Sequence, residues 1–352
     1  MPAVLFPGQA EQVLSDSNKT IIALDVHGGD FGPAVTIPAA LDVLASQPDV
    51  EILLCGVRQD IQPILGHDVP DRLAVIEASH ALAADARPVE ALRRGKGSSL
   101  WLAMEQVATG RAHACVSAGS TAAMLALGVK LLGMLPGIER PALMSRIPSA
   151  TGHTSLLDLG ANLNVSANQL VQFAIMGSVA SRVDGSAQPS VALLNVGHED
   201  SKGDAVVKEA HAMLKELPIN YTGFIEGHDI FAGKADVAVC DGFSGNLILK
   251  SGEGLASMFF RQLDVALHSG WRARLGGALA RPSLRRILAR FEPSKHNGAP
   301  LLGLRSVVVK SHGNAGQAAM GYAIVEAIEE ARQQVPQQIE SMIQDYSIEV
   351  AT

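Results

Sequence analysis

The sequence predicts an α/β protein in which helices cover both faces of a mostly parallel sheet, three layers in all. Two observations carry this. Short apolar runs of strand length alternate with longer stretches of helical periodicity, the pattern of strands joined by crossover helices. Nearly every apolar run also stops at a glycine-rich polar turn, as expected where strand ends line a ligand crevice.

The strand-like runs are 20–25 (TIIALD), 51–55 (EILLC), 73–77 (LAVIE), 113–117 (HACVS), 155–159 (SLLDL), 190–195 (SVALLN), 235–240 (ADVAVC) and 305–309 (RSVVV). Helical patterns lie near 34–46, 97–109, 119–133, 166–182, 203–216, 243–269 and 315–333. The turns that follow the strands are Asp25 to Asp30, Ser117 to Thr121, Asp158 to Asn162, Asn195 to Asp200, Asp241 to Asn246 and Lys310 to Asn314. Any one of them is ordinary turn chemistry, because Gly, Asn, Asp and Ser favour turns. Six at one edge of a sheet point to a site.

Composition narrows the class. The chain has 352 residues, 47% of them hydrophobic and 18% charged, the balance of a globular protein with a large core. Aromatics are only 4%, so that core is built from Ala, Val, Ile and Leu. The net charge of −7 argues against general nucleic-acid binding. Cys55, Cys115 and Cys240 are odd in number and far apart, with no disulfide framework or CxxC metal site, which fits a reducing cytoplasm. Residues 1–19 lack the basic start and apolar block of a signal peptide and read as a disordered extension. No apolar run reaches the roughly 18 residues of a membrane span. Residues 20–340 read as a single catalytic domain, with an arginine-rich amphipathic helical insertion at about 256–297. Over 271–292 within it, Arg272, Arg274, Arg281, Arg285, Arg286 and Arg290 face one acid, Glu292. Leu284, Ile287, Leu288 and Phe291 fall on one helix face, and Pro282 suits that helix's first turn.

The turns suit a phosphate-sized anion. Backbone N–H groups at a helix start carry partial positive charge, and glycine lets the backbone come close. Ser117, Ser120, Thr121, Ser244 and Asn246 add neutral donors, Lys202, Lys250 and Lys310 add charge, and His312 can donate a proton or a hydrogen bond. The pattern matches neither a Walker A loop nor a GxGxxG dinucleotide turn. There is no GxSxG elbow, and the cysteines sit in apolar runs, so no covalent nucleophile stands out. His27 with Asp30, or His198 with Glu199 and Asp200, could ligate a cation, but no zinc-like spacing is present. Neither a metal nor a cofactor is expected.

Nine blocks in order carry a resemblance. They include Ala23-Leu24-Asp25-Val26-His27-Gly28-Gly29-Asp30, Val116 to Thr121, Arg140-Pro141-Ala142-Leu143, Leu156 to Asn162, Leu193 to Gly197 and Glu199 to Gly203. The remaining three are Asp241 to Asn246, Gly298 to Gly303 and Lys310 to Gly313. Together, over about residues 20–333, they resemble the phosphate acyltransferase family (PlsX). The resemblance implies a fold related to phosphotransacetylases and the isocitrate dehydrogenase superfamily. It implies a homodimer, and transfer of a fatty acyl group from an acyl carrier protein thioester to inorganic phosphate. The acyl phosphate then passes to a membrane glycerol-3-phosphate acyltransferase, and the resemblance also implies peripheral contact of the arginine-rich region with the inner face of the cell membrane. The chain departs from the family pattern at His27 (usually Met), at Ser120-Thr121-Ala122 (usually Asn-Thr-Gly) and at Asn164 (often Asp).

Residue types then suggest roles. Lys202, His312 and Asn246 are the catalytic candidates. Asp25, Gly28, Gly29, Asp30, Ser117, Gly119, Ser120, Thr121, Asn162, Asp241, Gly242, Ser244, Gly245 and Lys310 are the substrate-binding candidates. Asp25, Asp30 and Asp241 are expected to orient donors rather than touch phosphate, because like charges repel. Arg274, Arg281, Arg285, Arg286 and Arg290 are candidates for docking an acidic carrier protein or an anionic membrane. Competing readings are a phosphotransacetylase using acyl-CoA, a nicotinamide-dependent decarboxylating dehydrogenase, and a non-catalytic scaffold.

Overall fold

The structure, a computed structural model, describes residues 19–66, 69–290 and 297–351; for 184, 283, 285–290 and 347–351 it describes the backbone alone. The expected extension at 1–19 therefore lies, but for Lys19, outside the described residues. Among the described residues eleven strands form one sheet: β1 (Thr20–Asp25), β2 (Val50–Gly56), β3 (Leu73–Glu77), β4 (Ala114–Ser117), β5 (Ala142–Ser149), β6 (Gly152–Leu157), β7 (Val191–Leu194), β8 (Tyr221–Ile225), β9 (Val237–Val239), β10 (Ala299–Leu302) and β11 (Val307–Lys310). Their spatial order is β3-β2-β1-β4-β11-β10-β5-β6-β9-β7-β8.

The sheet holds two parallel blocks of opposite sense. β10 is antiparallel to both β11 and β5, and β5 is antiparallel to β6. Hence β3, β2, β1, β4 and β11 run one way, while β6, β9, β7 and β8 run the other. This corrects the expectation of six turns at one edge. The turns after β1, β4 and β11 form one group, and those after β6, β9 and β7 form another. The reversal is made by β5 and β10, neither of which is among the strand-like runs. β5 (ALMSRIPS) carries Arg146 and Pro148 in place of a clean apolar run, and β10 is only four residues long.

Among the described residues there are twelve α-helices: α1 (Pro33–Ser46), α2 (Arg58–Leu65), α3 (Pro88–Arg94), α4 (Ser99–Ala108), α5 (Thr121–Leu131), α6 (Ala167–Ala180), α7 (Ala205–Lys215), α8 (Gly227–Ala232), α9 (Gly242–His268), α10 (Trp271–Arg290), α11 (Gln317–Arg332) and α12 (Val335–Ala351). Their starts follow capping rules. Pro33 opens α1, Ser120 caps α5, Ser166 and Gln169 make a capping box on α6, and Asp241 caps α9. Pro282 lies inside α10 rather than in its first turn, because the helix starts eleven residues earlier, at Trp271.

Strand alternation sorts the core onto two faces. Ile21, Ala23, Leu53, Cys55 and Cys115 face one continuous layer that runs on to Leu156, Ala238 and Cys240 in the other block. On the opposite face each block has its own cluster. Ile22, Leu24, Ile52 and Val116 pack under α1 and α11, while Leu157, Val191 and Val237 pack under α6. The shared layer makes one body of the two blocks, so their carboxyl ends are held in fixed relation.

Candidate functional site

The first group of turns meets at the ends of β1, β4 and β11. Gly28 is pressed so tightly on β4 that a Cβ there would lie 2.7 Å from the amide nitrogen of Ala118 and 2.8 Å from that of Gly119. At Gly29 (φ 85°) a Cβ would stand 2.7 Å from the Gly313 carbonyl oxygen. The Asp30 amide donates to that carbonyl at 2.7 Å. These approaches demand glycine. They leave a cleft lined by Asp25, Gly28, Gly29, Gly119 and Ser120, with Leu82, Leu100 and Ala123 among its apolar walls. The first turn of α5 opens onto this cleft.

Asp25 is the buried carboxyl of this group. The Ser117 hydroxyl donates to its Oδ2 at 2.6 Å, and the Gly119 amide donates to the Ser117 oxygen at 2.9 Å. Burial pushes the Asp25 carboxyl above the ordinary carboxylate range, against the hydroxyls of Ser117 and Ser99 and the nearby His27. Two expected phosphate donors are thus already engaged. Ser117 serves Asp25, and the Ser120 hydroxyl donates to the Ala86 carbonyl while its oxygen caps α5. Lys310 is also turned inward, its ammonium donating to the carbonyls of Ala118 and Ser311. Burial pulls its pKa down to about 8, with Lys250 adding to the fall and Asp30 and Asp25 opposing it.

His312 follows on an exposed turn. Its amide donates to Asn297 Oδ1, while the Asn297 side-chain amide donates to the Ser311 hydroxyl and the Ala319 carbonyl. Asn297 is buried, and sequence reasoning missed it. Its position just before the block Gly298 to Gly303 was the only available signal. The surrounding protein lowers the His312 pKa by removing water, aided by Lys250 and Lys310 and opposed by Glu253.

The second group is built around Asp158, at the end of β6. Its Oδ1 accepts from the amides of Leu143 (2.9 Å) and Ala161 (3.3 Å), and its Oδ2 from the Asn162 amide (2.6 Å) and side chain (3.1 Å). Burial raises this carboxyl's pKa too, against those four donors. The start of α9 packs onto it. The Gly242 amide donates to the Asn162 carbonyl at 2.8 Å, and a Cβ at Gly245 would lie 2.0 Å from the Asp158 carbonyl oxygen. Asp241 accepts from the Ser244 amide and hydroxyl, so Ser244 too is engaged within its own turn. Asn246, next along α9, is exposed.

One element links the groups. Lys250 and Glu253, farther along α9, lie within electrostatic reach of His312, and Lys250 also of Lys310. Lys250 itself pairs with Glu253 at 2.8 Å. Lys202 belongs to the turn after β7, its amide donating to the Glu199 carbonyl at 2.9 Å. It sits exposed on the loop after β7, its carbonyl accepting from Asn195.

The cation candidates are spoken for. His27 Nε2 accepts from the Val57 amide, and His198 turns to Asp229 at 2.8 Å and Glu226 at 3.3 Å. Among the described residues no group of three or more His, Cys, Asp and Glu side chains is gathered as a metal ion needs. All three cysteines are buried, and burial pushes their thiols well above the ordinary range.

The fatty acid synthesis protein family model matches residues 20–338. The chain belongs to the phosphate acyltransferase (PlsX) family. It is 47% identical to a Pseudomonas syringae phosphate acyltransferase, over 92% of this chain and 98% of that one. It is 46% identical to one from Shewanella amazonensis, over 94% and 98%. The family's reaction joins an acyl group to phosphate in fatty acid and phospholipid synthesis, and the chain is an acyltransferase of that kind. Solved structures agree on the fold alone. A phosphotransacetylase from Streptococcus pyogenes superposes with a TM-score of 0.58 at 18% identity, covering 92% of this chain and 97% of the other. A 4-hydroxythreonine-4-phosphate dehydrogenase from Klebsiella pneumoniae gives 0.55 at 13%, covering 89% and 99%. Arg285, Arg286 and Arg290 have no described side chains, and Glu292 lies outside the described residues. Arg274 and Arg281 are exposed on α10.

Proposed function

We propose that the chain moves a fatty acyl group from an acyl carrier protein thioester onto inorganic phosphate in the region between the β1/β4 cleft and the start of α9. The observation that carries this is the cleft itself, where Gly28, Gly29 and Gly119 bring backbone against the first turn of α5. The first amides of a helix have no partner within it and suit an anion. Phosphate held there attacks the thioester carbon. The carbonyl oxygen takes up negative charge, then the C–S bond breaks, giving acyl phosphate and the carrier's thiolate. The main catalytic contributions are proximity and oxyanion stabilisation. His312, its pKa depressed, is neutral near pH 7 and serves the oxyanion by an N–H hydrogen bond rather than by giving up a proton. Asn246, at the exposed start of α9, is a second donor. Lys310 adds charge behind the cleft. Lys202 is a rim cation for the acidic carrier.

The same reading extends to assembly. A homodimer with peripheral membrane contact, passing its product to a membrane glycerol-3-phosphate acyltransferase, is supported by the α9–α10 hairpin. That hairpin exposes Met258, Phe259, Trp271, Leu275 and Leu279 beside Arg272, Arg274 and Arg281. Among the described residues no helix is long and apolar enough to cross a membrane.

The test is to incubate the protein with acyl-acyl carrier protein and phosphate and to trap acyl phosphate with hydroxylamine. Acyl hydroxamate that depends on phosphate is expected. Its formation only from acyl-CoA would move the chain to the phosphotransacetylase reaction. Reversing Arg274 and Arg281 to Glu is expected to weaken carrier or liposome binding, and unchanged binding of both would remove the docking role.

A further inference from the structure

The segment 79–98 runs beside the β1/β4 cleft and is tied at both ends. The Ser79 amide donates to the Gly97 carbonyl at 3.0 Å, and the Ser99 amide donates to the His80 carbonyl at 3.0 Å. His80 Nε2 donates to the Arg94 carbonyl at 3.0 Å. Leu82, Ala83 and Ala84, near the start of the segment, line the cleft, as do Ser99 and Leu100 just past its end. Between them the Ala86 carbonyl accepts from the Ser120 hydroxyl at 2.9 Å, and α3 packs against α5 with Ala91 buried. α3 is therefore fixed at the edge of the cleft.

Its outer surface is basic. Over 85–96 Arg87, Arg93, Arg94 and Lys96 stand against two acids, Asp85 and Glu90, in a chain whose net charge is −7. All four cations are exposed, and among the described residues none of their side chains makes an ion pair or a hydrogen bond. Helix stability explains part of this, because cations suit the last turn, where Arg93 and Arg94 stand. It does not explain Arg87, which is at the N-cap, where the helix field disfavours a cation. Nor does it explain Val89 and Leu92, 58% and 38% exposed, which share one face of α3 with Arg93 at i, i+3 and i+4. Unpaired cations around an apolar pair suit an acidic protein partner.

We infer that the outer face of α3 is the dock for the acidic acyl carrier protein and sets its thioester at the cleft. This rests on the reading that acyl transfer to phosphate takes place there. Position supports it. The acyl carbon must arrive within bonding reach of phosphate, so the carrier has to dock beside the cleft, and α3 is tied to the cleft wall through Ala86 and α5. An anionic membrane is the other partner a basic surface attracts, and it fits worse. A bilayer holds a helix by inserted apolar groups as well as by charge. α3 offers only Val89 and Leu92, whereas the α9–α10 hairpin offers Met258, Phe259, Trp271, Leu275 and Leu279. The carrier takes α3, which leaves the arginines of the hairpin to the membrane.

The experiment measures, in the full chain, the KM for acyl-acyl carrier protein and binding to phosphatidylglycerol vesicles. In the double variant Arg93→Glu, Arg94→Glu the carrier KM is expected to rise by about tenfold or more, while the phosphate KM and vesicle binding hold. High salt should shrink that difference by screening the charges. Arg93→Lys, Arg94→Lys keeps the charge and is expected to keep the carrier KM within about threefold. A carrier KM unmoved by the double reversal would overturn the inference. So would lost vesicle binding with an unchanged carrier KM, which would give the surface to a membrane. If the unaltered protein forms no phosphate-dependent acyl hydroxamate, the acyltransfer reading fails first and this inference falls with it. Should the double reversal fail to fold, Arg87→Glu decides: a carrier KM equal to that of the unaltered protein rejects the proposal.

Discussion

The two parallel blocks each bury an aspartate at the end of a strand, and they use it differently. Asp158 receives four donors, two at each oxygen, and becomes the knot on which the loop after β6 and the start of α9 are tied. Asp25 draws instead on hydroxyls, from Ser117 at Oδ2 (2.6 Å) and from the neighbouring Ser99, and sits buried at the end of β1. Both carboxyls are raised by burial, so pKa direction does not separate them. What separates them is the source of their donors, mainly backbone amides at Asp158 and serine hydroxyls at Asp25. A carboxyl that gathers amides ties loops together, while one that gathers hydroxyls fixes side chains where strand ends meet.

Breaking the knot is expected to have the largest effect. Gly245→Ala would drive a Cβ to 2.0 Å from the Asp158 carbonyl oxygen, which is backbone and cannot swing aside. A loss of about 3 kcal/mol or more is expected in urea unfolding. A stability loss below about 1 kcal/mol would mean the knot is slack. In the other block, His312→Ala is expected to lower kcat by roughly 100-fold, the size of a lost oxyanion donor, with the urea midpoint unchanged. Near-normal turnover would strip His312 of its role.

A smaller effect comes from pH. Lys310 titrates near 8 in the folded protein, below its unfolded value of about 10.4. Its charge should aid phosphate, so kcat/KM for phosphate is expected to fall as pH rises through about 8, and the limb should vanish in Lys310→Gln. Stability moves the other way. Between about 8 and 10.4 the unfolded chain binds the proton more tightly, so the Lys310 contribution to stability rises with pH. Activity and stability that fall together across that window would point away from Lys310. The smallest effect is expected at Lys202. As an exposed rim cation it should change the carrier-protein KM by no more than about fivefold on mutation to Ala, with kcat little altered. A collapse of kcat would return it to the centre of the chemistry.

The sheet was legible where strands are apolar and end in glycine-rich turns. Thr20–Asp25 and Leu73–Glu77 were expected residue for residue, and each of the seven expected helices has a counterpart within two residues of its bounds, whereas Arg58–Leu65, Pro88–Arg94, Gly227–Ala232 and Val335–Ala351 were not expected. The reversal between blocks was not legible. Polarity is decided by β5 and β10, and Arg146, Pro148 and the four-residue APLL run give no strand periodicity. Site residues were legible as types but not as partners. Nothing in the spacing of Ser117 from Asp25, 92 positions apart, says that one hydroxyl is spent on the other. Asn297 was hidden for the same reason, since a buried asparagine bridging Ser311, His312 and Ala319 looks in sequence like any loop residue.

The three cysteines acquire a meaning from the chemistry around them. A protein that handles thioesters risks capturing the acyl group on its own sulfur, because thiol–thioester exchange needs only an accessible thiolate. Cys55, Cys115 and Cys240 lie inside the shared core layer, closed to solvent and held protonated. Self-acylation is thereby denied both the nucleophile and the path, and the activated carbon is left to oxygen.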